Sequence, residues 1–196
     1  MQINPHFLYN SLDTISWLGF TSGNEKVSDL AVSLADLLRA SIKRDDMITV
    51  EEEMRIVQNY LHIQNFRFGD KIAVEYEIAQ KVTKCYMPSF LLQPLIENGI
   101  MHGLEKQIEG GTLRISIKEQ EGWLLFVISD DGKGMDTEQV DELMRQCKDA
   151  AFGDTIGLAN VYRRLQLSYG DDCKFGIKST PDKGTSISFR IPVMLS

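Results

Sequence analysis

Leu8, Leu12, Ile15 and Leu18 recur three or four positions apart, which predicts an amphipathic helix with one buried stripe. Asn4 suits its N-cap and Pro5 its first helical position. Residues 19–24, rich in Gly, Ser, Thr and Asn, predict a turn. Val27, Leu30, Leu34, Leu37 and Leu38 then predict a second amphipathic helix, ending near Lys43 and Arg44. A two-helix hairpin that buries one stripe from each helix has little core of its own. Pairing with a second copy into a four-helix bundle supplies one. Asp45-Asp46 marks the boundary between this unit, residues 1–46, and the rest, residues 47–196.

Beyond the boundary, Thr49 and Glu52 have the spacing of a capping box, opening a helix that carries Met54, Val57, Tyr60 and Leu61. Phe68-Gly69-Asp70 ends it, and Ile72, Val74, Tyr76 and Ile78 alternate as a strand with one buried face. The next helix carries Leu95, Ile96, Glu97, Asn98, His102 and Gly103. Pro94 stands either at its first position or at a kink in a helix starting as early as Pro88. Residues 113–118 and 123–129 predict two strands with Glu121-Gly122 turning between them. A short helix over 137–144, an irregular stretch over 145–154 and a helix over 157–169 with Leu158, Val161 and Leu165 inward follow. Residues 173–179 and 185–191 predict a closing hairpin around Pro181-Asp182-Lys183-Gly184.

The 196 residues, 43% hydrophobic and 25% charged, suit a soluble globular chain with one ordinary domain and a smaller helical unit. A net charge of −7 argues against nucleic acid or an anionic membrane as the main partner. Cys85, Cys147 and Cys173 are odd in number and form no Cys-x-x-Cys pair, so neither a disulfide framework nor structural zinc is expected. A reducing, cytoplasmic setting fits them. There is no apolar run of membrane-spanning length and no signal peptide. Met1 leaves no room for an input domain before the first helix, as expected of a cytoplasmic fragment excised from a longer protein.

The chemistry begins on the first helix. At roughly 100° per residue, His6 lies about 160° from Leu8, and Asn10 and Asp13 share its face. The imidazole is offered to solvent or to a partner, and a neutral imidazole carries a lone pair that can act as a nucleophile. Pro5-His6-Phe7-Leu8-Tyr9-Asn10 resembles the phosphoacceptor box of the LytS/YesM-type sensor histidine kinases. That resemblance requires an ATP site elsewhere in the chain.

No Gly-x-x-x-x-Gly-Lys-[Ser/Thr] loop and no His-Arg-Asp catalytic loop is present, so ATP would bind by another route. Glu97-Asn98 with His102-Gly103 resembles the N box of the Bergerat ATP-binding fold found in gyrase, Hsp90, MutL and histidine kinases. Asn98 and His102 share a helix face, and an Asn amide oxygen suits magnesium, which keeps several waters and bridges phosphates. Asp130 with Gly132 and Gly134 resembles the G1 box, where a carboxylate at a strand end accepts the adenine amino group and the glycines let backbone approach the purine. Gly153-Asp154-Thr155-Ile156-Gly157-Leu158 resembles the G2 box at a helix N-terminus, with Thr155 where the family usually has glycine. Gly184-Thr185 matches the family's last Gly-Thr element.

The resemblance covers nearly the whole chain. It implies an α+β protein: a dimeric helical hairpin bearing the phosphoacceptor, followed by a Bergerat-type α/β sandwich with a mixed sheet. It implies ATP and Mg2+ as cofactors, and Asn98 as the magnesium ligand. His102, Gly103, Asp130, Gly132, Gly134, Gly157, Leu158 and Thr185 would bind nucleotide, with residues 145–154 as the ATP lid. His6 would attack the γ-phosphate and pass the phosphoryl group to an aspartate of a response regulator, and Asn10 would orient a water that removes it. Many histidine kinases place an acidic residue after the phosphoacceptor. Here Phe7 follows, so either Glu97 serves as base or the neutral tautomer attacks directly. The protein would be a homodimer, the cytoplasmic portion of a bacterial plasma-membrane protein whose sensor region lies N-terminal to this segment. The alternative readings are a hydrolytic Bergerat ATPase or a non-catalytic ATP-binding dimer. Hydrolytic members carry a glutamate one turn before the magnesium Asn, where this chain has Pro94.

Overall fold

The computed structural model describes residues 5–42, 46–69, 71–104, 110–149 and 156–195. Helix α1 (Pro5–Thr21) turns through Gly23 into α2 (Glu25–Ile42), where Asn24 Oδ1 accepts the Val27 N–H at 3.4 Å. The two helices meet over small residues. A Cβ on Gly19 would stand 2.7 Å from the Ser28 nitrogen, the Ser16 and Ser28 hydroxyls are bonded at 3.0 Å, and Ala31 and Ala35 are buried.

Within a single hairpin the predicted stripes are only partly covered. Leu8 and Leu12 are half-buried, but Ile15 and Leu18 are 45% and 60% exposed. In α2, Leu30, Leu37 and Leu38 are half-buried, whereas Val27 and Leu34 are exposed. Helices approach more closely over glycine and alanine, so those residues take the shared face and larger apolar groups turn outward. Asn4, Lys43, Arg44 and Asp45, assigned above to helix ends and the boundary, lie outside the described residues.

Strand β1 (Met47–Thr49) leads into α3 (Val50–Phe68) through the expected capping box. Thr49 Oγ1 accepts the Glu52 N–H at 3.2 Å, and Glu52 Oε2 accepts the Thr49 N–H at 2.9 Å. Gly69, at φ +66°, closes the helix with its N–H donated to the Asn65 carbonyl. After β2 (Ile72–Ile78), the short β3 (Tyr86–Pro88) pairs antiparallel with β1. Helix α4 (Leu92–Asn98) then runs directly into a wider π turn, Gly99–Leu104. Pro94 is the third residue of α4, where its missing N–H has no intrahelical partner to lose.

The main sheet adds β4 (Gly111–Gln120), β5 (Trp123–Asp130), β6 (Gly176–Thr180) and β7 (Gly184–Pro192), in the order β2-β4-β5-β7-β6. β2 and β4 are parallel and the other pairs antiparallel, so the sheet is mixed. Glu121 and Gly122 join β4 to β5 with φ of 53° and 79°, the left-handed pair that a two-residue hairpin turn requires. Alternate residues of the strands, among them Leu113, Ile115, Leu124, Phe126, Ile187 and Phe189, bury one face together with α3, α4, α5 (Thr137–Asp149) and α6 (Ile156–Tyr169). Across that face Phe126 and Phe189 stack at 4.6 Å. The opposite face is wet, with Arg114 bonded to Glu75 at 2.6 Å and Lys118 to Glu77 at 2.7 Å.

Two expectations are corrected. Helix α5 does not stop at Met144 but runs to Asp149, because Leu143 and Cys147 continue its inward row and Gln146 bonds Glu142 at 2.8 Å. Residues 145–149 of the expected irregular lid are therefore helical, and 150–154 lie outside the described residues. Cys173 belongs to a 3-10 turn, Gly170–Cys173, and the last hairpin starts only at Gly176. Among the described residues, no helix is long and apolar enough to cross a membrane.

Candidate functional site

Leu124, Phe126 and Ile128 face the core by strict alternation, and Asp130, the last residue of β5, takes the next inward place. The strand period thus pushes a carboxylate under the helices, where it is 9% exposed. Its Oδ1 accepts the Gly132 N–H at 2.9 Å. The π turn sits on it so closely that a Cβ on Gly103 would stand 2.5 Å from Asp130 Oδ1. Burial pushes the Asp130 carboxyl above the ordinary carboxylate range, opposed by the N–H groups of Gly132 and Thr185 and assisted by the neighbouring Asp131. Asp131 is turned elsewhere, its Oδ1 accepting the Thr112 N–H at 2.7 Å.

In front of Asp130 lies a cavity of about 360 Å³. Asn98, His102 and Gly103 line it from the α4 end, Gly134 from the loop after β5, and Thr185 from β7. Gly134 has φ +61°, and a Cβ there would come 1.9 Å from the Thr180 carbonyl oxygen, so only glycine lets this loop lie against the β6–β7 turn. A polar knot holds the same corner. The Ser179 hydroxyl accepts the Met135 N–H at 2.8 Å, donates to the Gly184 carbonyl at 2.9 Å, and lies 2.8 Å from the Thr185 hydroxyl.

Asn98 and His102 also border an adjoining cavity of about 310 Å³, closed by Glu97, Gly157 and Leu158. The structure thus gathers nearly all the predicted nucleotide-site residues around two cavities that share Asn98 and His102. Gly132 acts one step removed, since a Cβ on it would stand 2.4 Å from the Gly103 carbonyl oxygen. Gly153, Asp154 and Thr155 lie outside the described residues. One wall was missed: Gln139, Glu142, Leu143 and Gln146 of α5 face the larger cavity. The recurrence of Leu143 and Cys147 four positions apart was the available signal.

His6 is exposed on α1, and its Nδ1 lies 3.2 Å from the Asn10 amide. The amide nitrogen donates, so Nδ1 accepts with its lone pair and the imidazole proton resides on Nε2. No described residue of α1 lines either cavity.

Comparison with known proteins agrees with this geometry. The family model described as histidine kinase matches residues 1–72. The model described as histidine kinase-, DNA gyrase B-, and HSP90-like ATPase matches residues 89–195. The chain is 37% identical over 192 residues to the sensor histidine kinase YesM of Bacillus subtilis, covering 97% of this chain and 32% of that protein. It is 32% identical over 193 residues to the sensor protein LytS of Bacillus anthracis, covering 97% and 33%. The chain therefore spans about a third of the length of these relatives. In fold it is similar to the histidine kinase domain of an Erythrobacter litoralis blue-light activated histidine kinase, with TM-score 0.57, 16% identity and 96% of each chain covered. With two family models matched in succession and the Asp130 cavity inside the second, the chain belongs to the histidine kinase-, DNA gyrase B- and HSP90-like ATPase family.

Proposed function

We propose that this chain is the catalytic core of a two-component sensor histidine kinase that phosphorylates its own His6 from ATP and passes the phosphoryl group to an aspartate of a response regulator. The observation that carries this reading is the buried Asp130 carboxylate, seated against glycine at Gly103 and facing a cavity also lined by Asn98, Gly134 and Thr185. An ionised acceptor with adjoining bare backbone suits the adenine amino group and the flat purine. The space bordered by Asn98, His102, Gly157 and Leu158 is where the phosphates would lie. The Asn98 amide would hold Mg2+, which would supply positive charge against the phosphates.

In transfer, a bond forms between His6 Nε2 and the γ-phosphorus while the bond from that phosphorus to the β-bridging oxygen breaks, releasing ADP. With Asn10 Nδ2 donating to Nδ1, the proton on Nε2 must leave as the N–P bond forms, taken by Glu97 or moved to Nδ1 by a change of tautomer before attack. Because α1 lines neither cavity, His6 reaches ATP only by movement of the hairpin or from a second subunit. We assign residues 1–46 to dimerisation and phosphotransfer and 47–196 to ATP binding. The packing of Met54, Val57, Tyr60 and Leu61 of α3 into the same core as the sheet supports that division. Attachment to the plasma membrane would come through a sensor region outside this segment.

Incubation with γ-labelled ATP tests the whole reading, which requires acid-labile, base-stable label on the chain. Release of labelled inorganic phosphate without label on protein would favour the hydrolytic alternative, for which Glu97, on the wall beside Asn98, is the available base.

Asn10→Ala is expected to slow autophosphorylation by less than about tenfold, the worth of one exposed hydrogen bond. Dephosphorylation of the regulator should fall further, because Asn10 then no longer orients the attacking water. Equal dephosphorylation rates for wild type and Asn10→Ala would remove that role. The exposed apolar side chains of α1 and α2, with Trp17 at 65%, Leu18 at 60% and Leu34 at 45%, fit burial in a two-fold bundle. Light scattering should find a dimer for wild type and a monomer for Leu34→Asp, which places a charge in that seam. A wild-type chain monomeric at high micromolar concentration contradicts the bundle.

A further inference from the structure

Glu53 has no exposed surface, and among the described residues only Asp130 is a comparably buried carboxylate. Nothing in the proposed chemistry uses Glu53. It projects from α3 toward the chain entering α4, where Oε2 accepts the Phe90 N–H and Oε1 the Leu92 N–H, each at 2.8 Å. Burial pushes its carboxyl up, opposed by the amides of Leu92, Phe90 and Leu91 and by the charge of Arg164. Arg164, from α6, grips the same entry by donating to the Ser89 carbonyl and, at 3.1 Å, to the Asp46 carbonyl.

The entry needs holding. Phe90 has φ +56°, a left-handed backbone that an aromatic residue adopts only under constraint. The N-cap of α4, Leu91, makes no side-chain bond, and the helix is seven residues long with Pro94 as its third. Few internal hydrogen bonds fix such a helix, so what grips its start sets where its end lies. That end is Asn98, and the π turn after it rests on Asp130.

We propose that Glu53 is a positioning residue of the nucleotide site, tying the start of α4 to α3 and so placing Asn98. Because α2 packs along α3, the same clamp links the phosphoacceptor hairpin to the magnesium end of the cavity. The inference rests on the proposed ATP reading.

The test compares wild type, Glu53→Gln and Glu53→Ala in the full 196-residue chain. Gln keeps the shape but offers one acceptor where two N–H groups need one each. A packing role predicts that Gln behaves as wild type, and a clamp predicts that it behaves as Ala. In the nucleotide-free protein, hydrogen exchange across 92–104 should quicken by about tenfold or more in both variants. By calorimetry, the gain in ADP affinity on adding Mg2+ should shrink about fivefold to tenfold, while metal-free ADP affinity stays within about twofold, since Asp130 is untouched. Wild-type-like exchange in Glu53→Gln overturns the proposal, and so does faster exchange with an unchanged magnesium gain. If the Glu53 variants do not fold, Arg164→Met loosens the same entry from α6 and must show both changes in smaller degree. A wild-type chain that binds no ADP refutes the ATP reading instead, and exchange in Glu53→Gln still decides whether the clamp exists.

Discussion

Asp130→Asn is expected to lower ATP and ADP affinity alike by about tenfold to a hundredfold while stabilising the nucleotide-free protein. The first effect is the loss of a charged acceptor for the adenine amino group, about 1.5–3 kcal/mol. The second follows from burial. The folded Asp130 carboxyl lies above its unfolded value near 3.8, so the folded state holds the proton more tightly than the unfolded state. Its contribution to stability is fully present below the unfolded pKa and is lost as pH rises through the folded one. At neutral pH the ionised group is a cost that Asn removes, and Asn can still accept the Gly132 N–H. Melting curves from about pH 3 to pH 8 should show the gain of Asp130→Asn over wild type growing with pH. Asn98→Ala gives the contrast, losing mainly the magnesium-dependent part of nucleotide affinity. Unchanged ADP affinity in Asp130→Asn would falsify the adenine assignment.

His6→Gln should abolish acid-labile phosphorylation altogether and leave nucleotide affinity where it was. Gln cannot form the phosphoramidate, and no described residue of α1 lines the cavity. Calorimetry and labelling on the same preparation separate the two effects. Persistent acid-labile label would move the phosphoacceptor to His62, edge-on against Phe66 on α3, or to His102 on the cavity wall.

The two buried carboxylates, one in the site and one in its support, differ in what their removal does to stability. Asp130 and Glu53 are carboxylates held under a hydrophobic layer, each tolerated because backbone N–H groups point at it. Asp130→Asn relieves desolvation at the expense of nucleotide recognition, whereas losing Glu53 leaves the Phe90 and Leu92 N–H groups without their acceptors and loosens the start of α4.

What the sequence by itself determined is whatever depends on near neighbours along the chain. The Thr49–Glu52 capping box, the Glu121-Gly122 turn and the inward place of Asp130 after Leu124, Phe126 and Ile128 follow from local bonding and from a period of two. His6 opposite Leu8 follows likewise from the helical period, and the order of the glycine motifs carried the family. Tertiary structure alone decided the rest. It put Gly19, Ala31 and Ala35 rather than the leucine stripes between α1 and α2, because how closely two helices approach depends on both surfaces at once. It carried α5 on to Asp149, since the four-residue spacing of Leu143 and Cys147 marks an inward row only once α5 lies against its neighbours. It gave Glu53 its role, because the N–H groups it holds lie 37 and 39 residues further along. No periodicity encodes such a partner. A buried charge persists only where the fold brings donors to it, and which donors arrive is settled by the packing of whole elements.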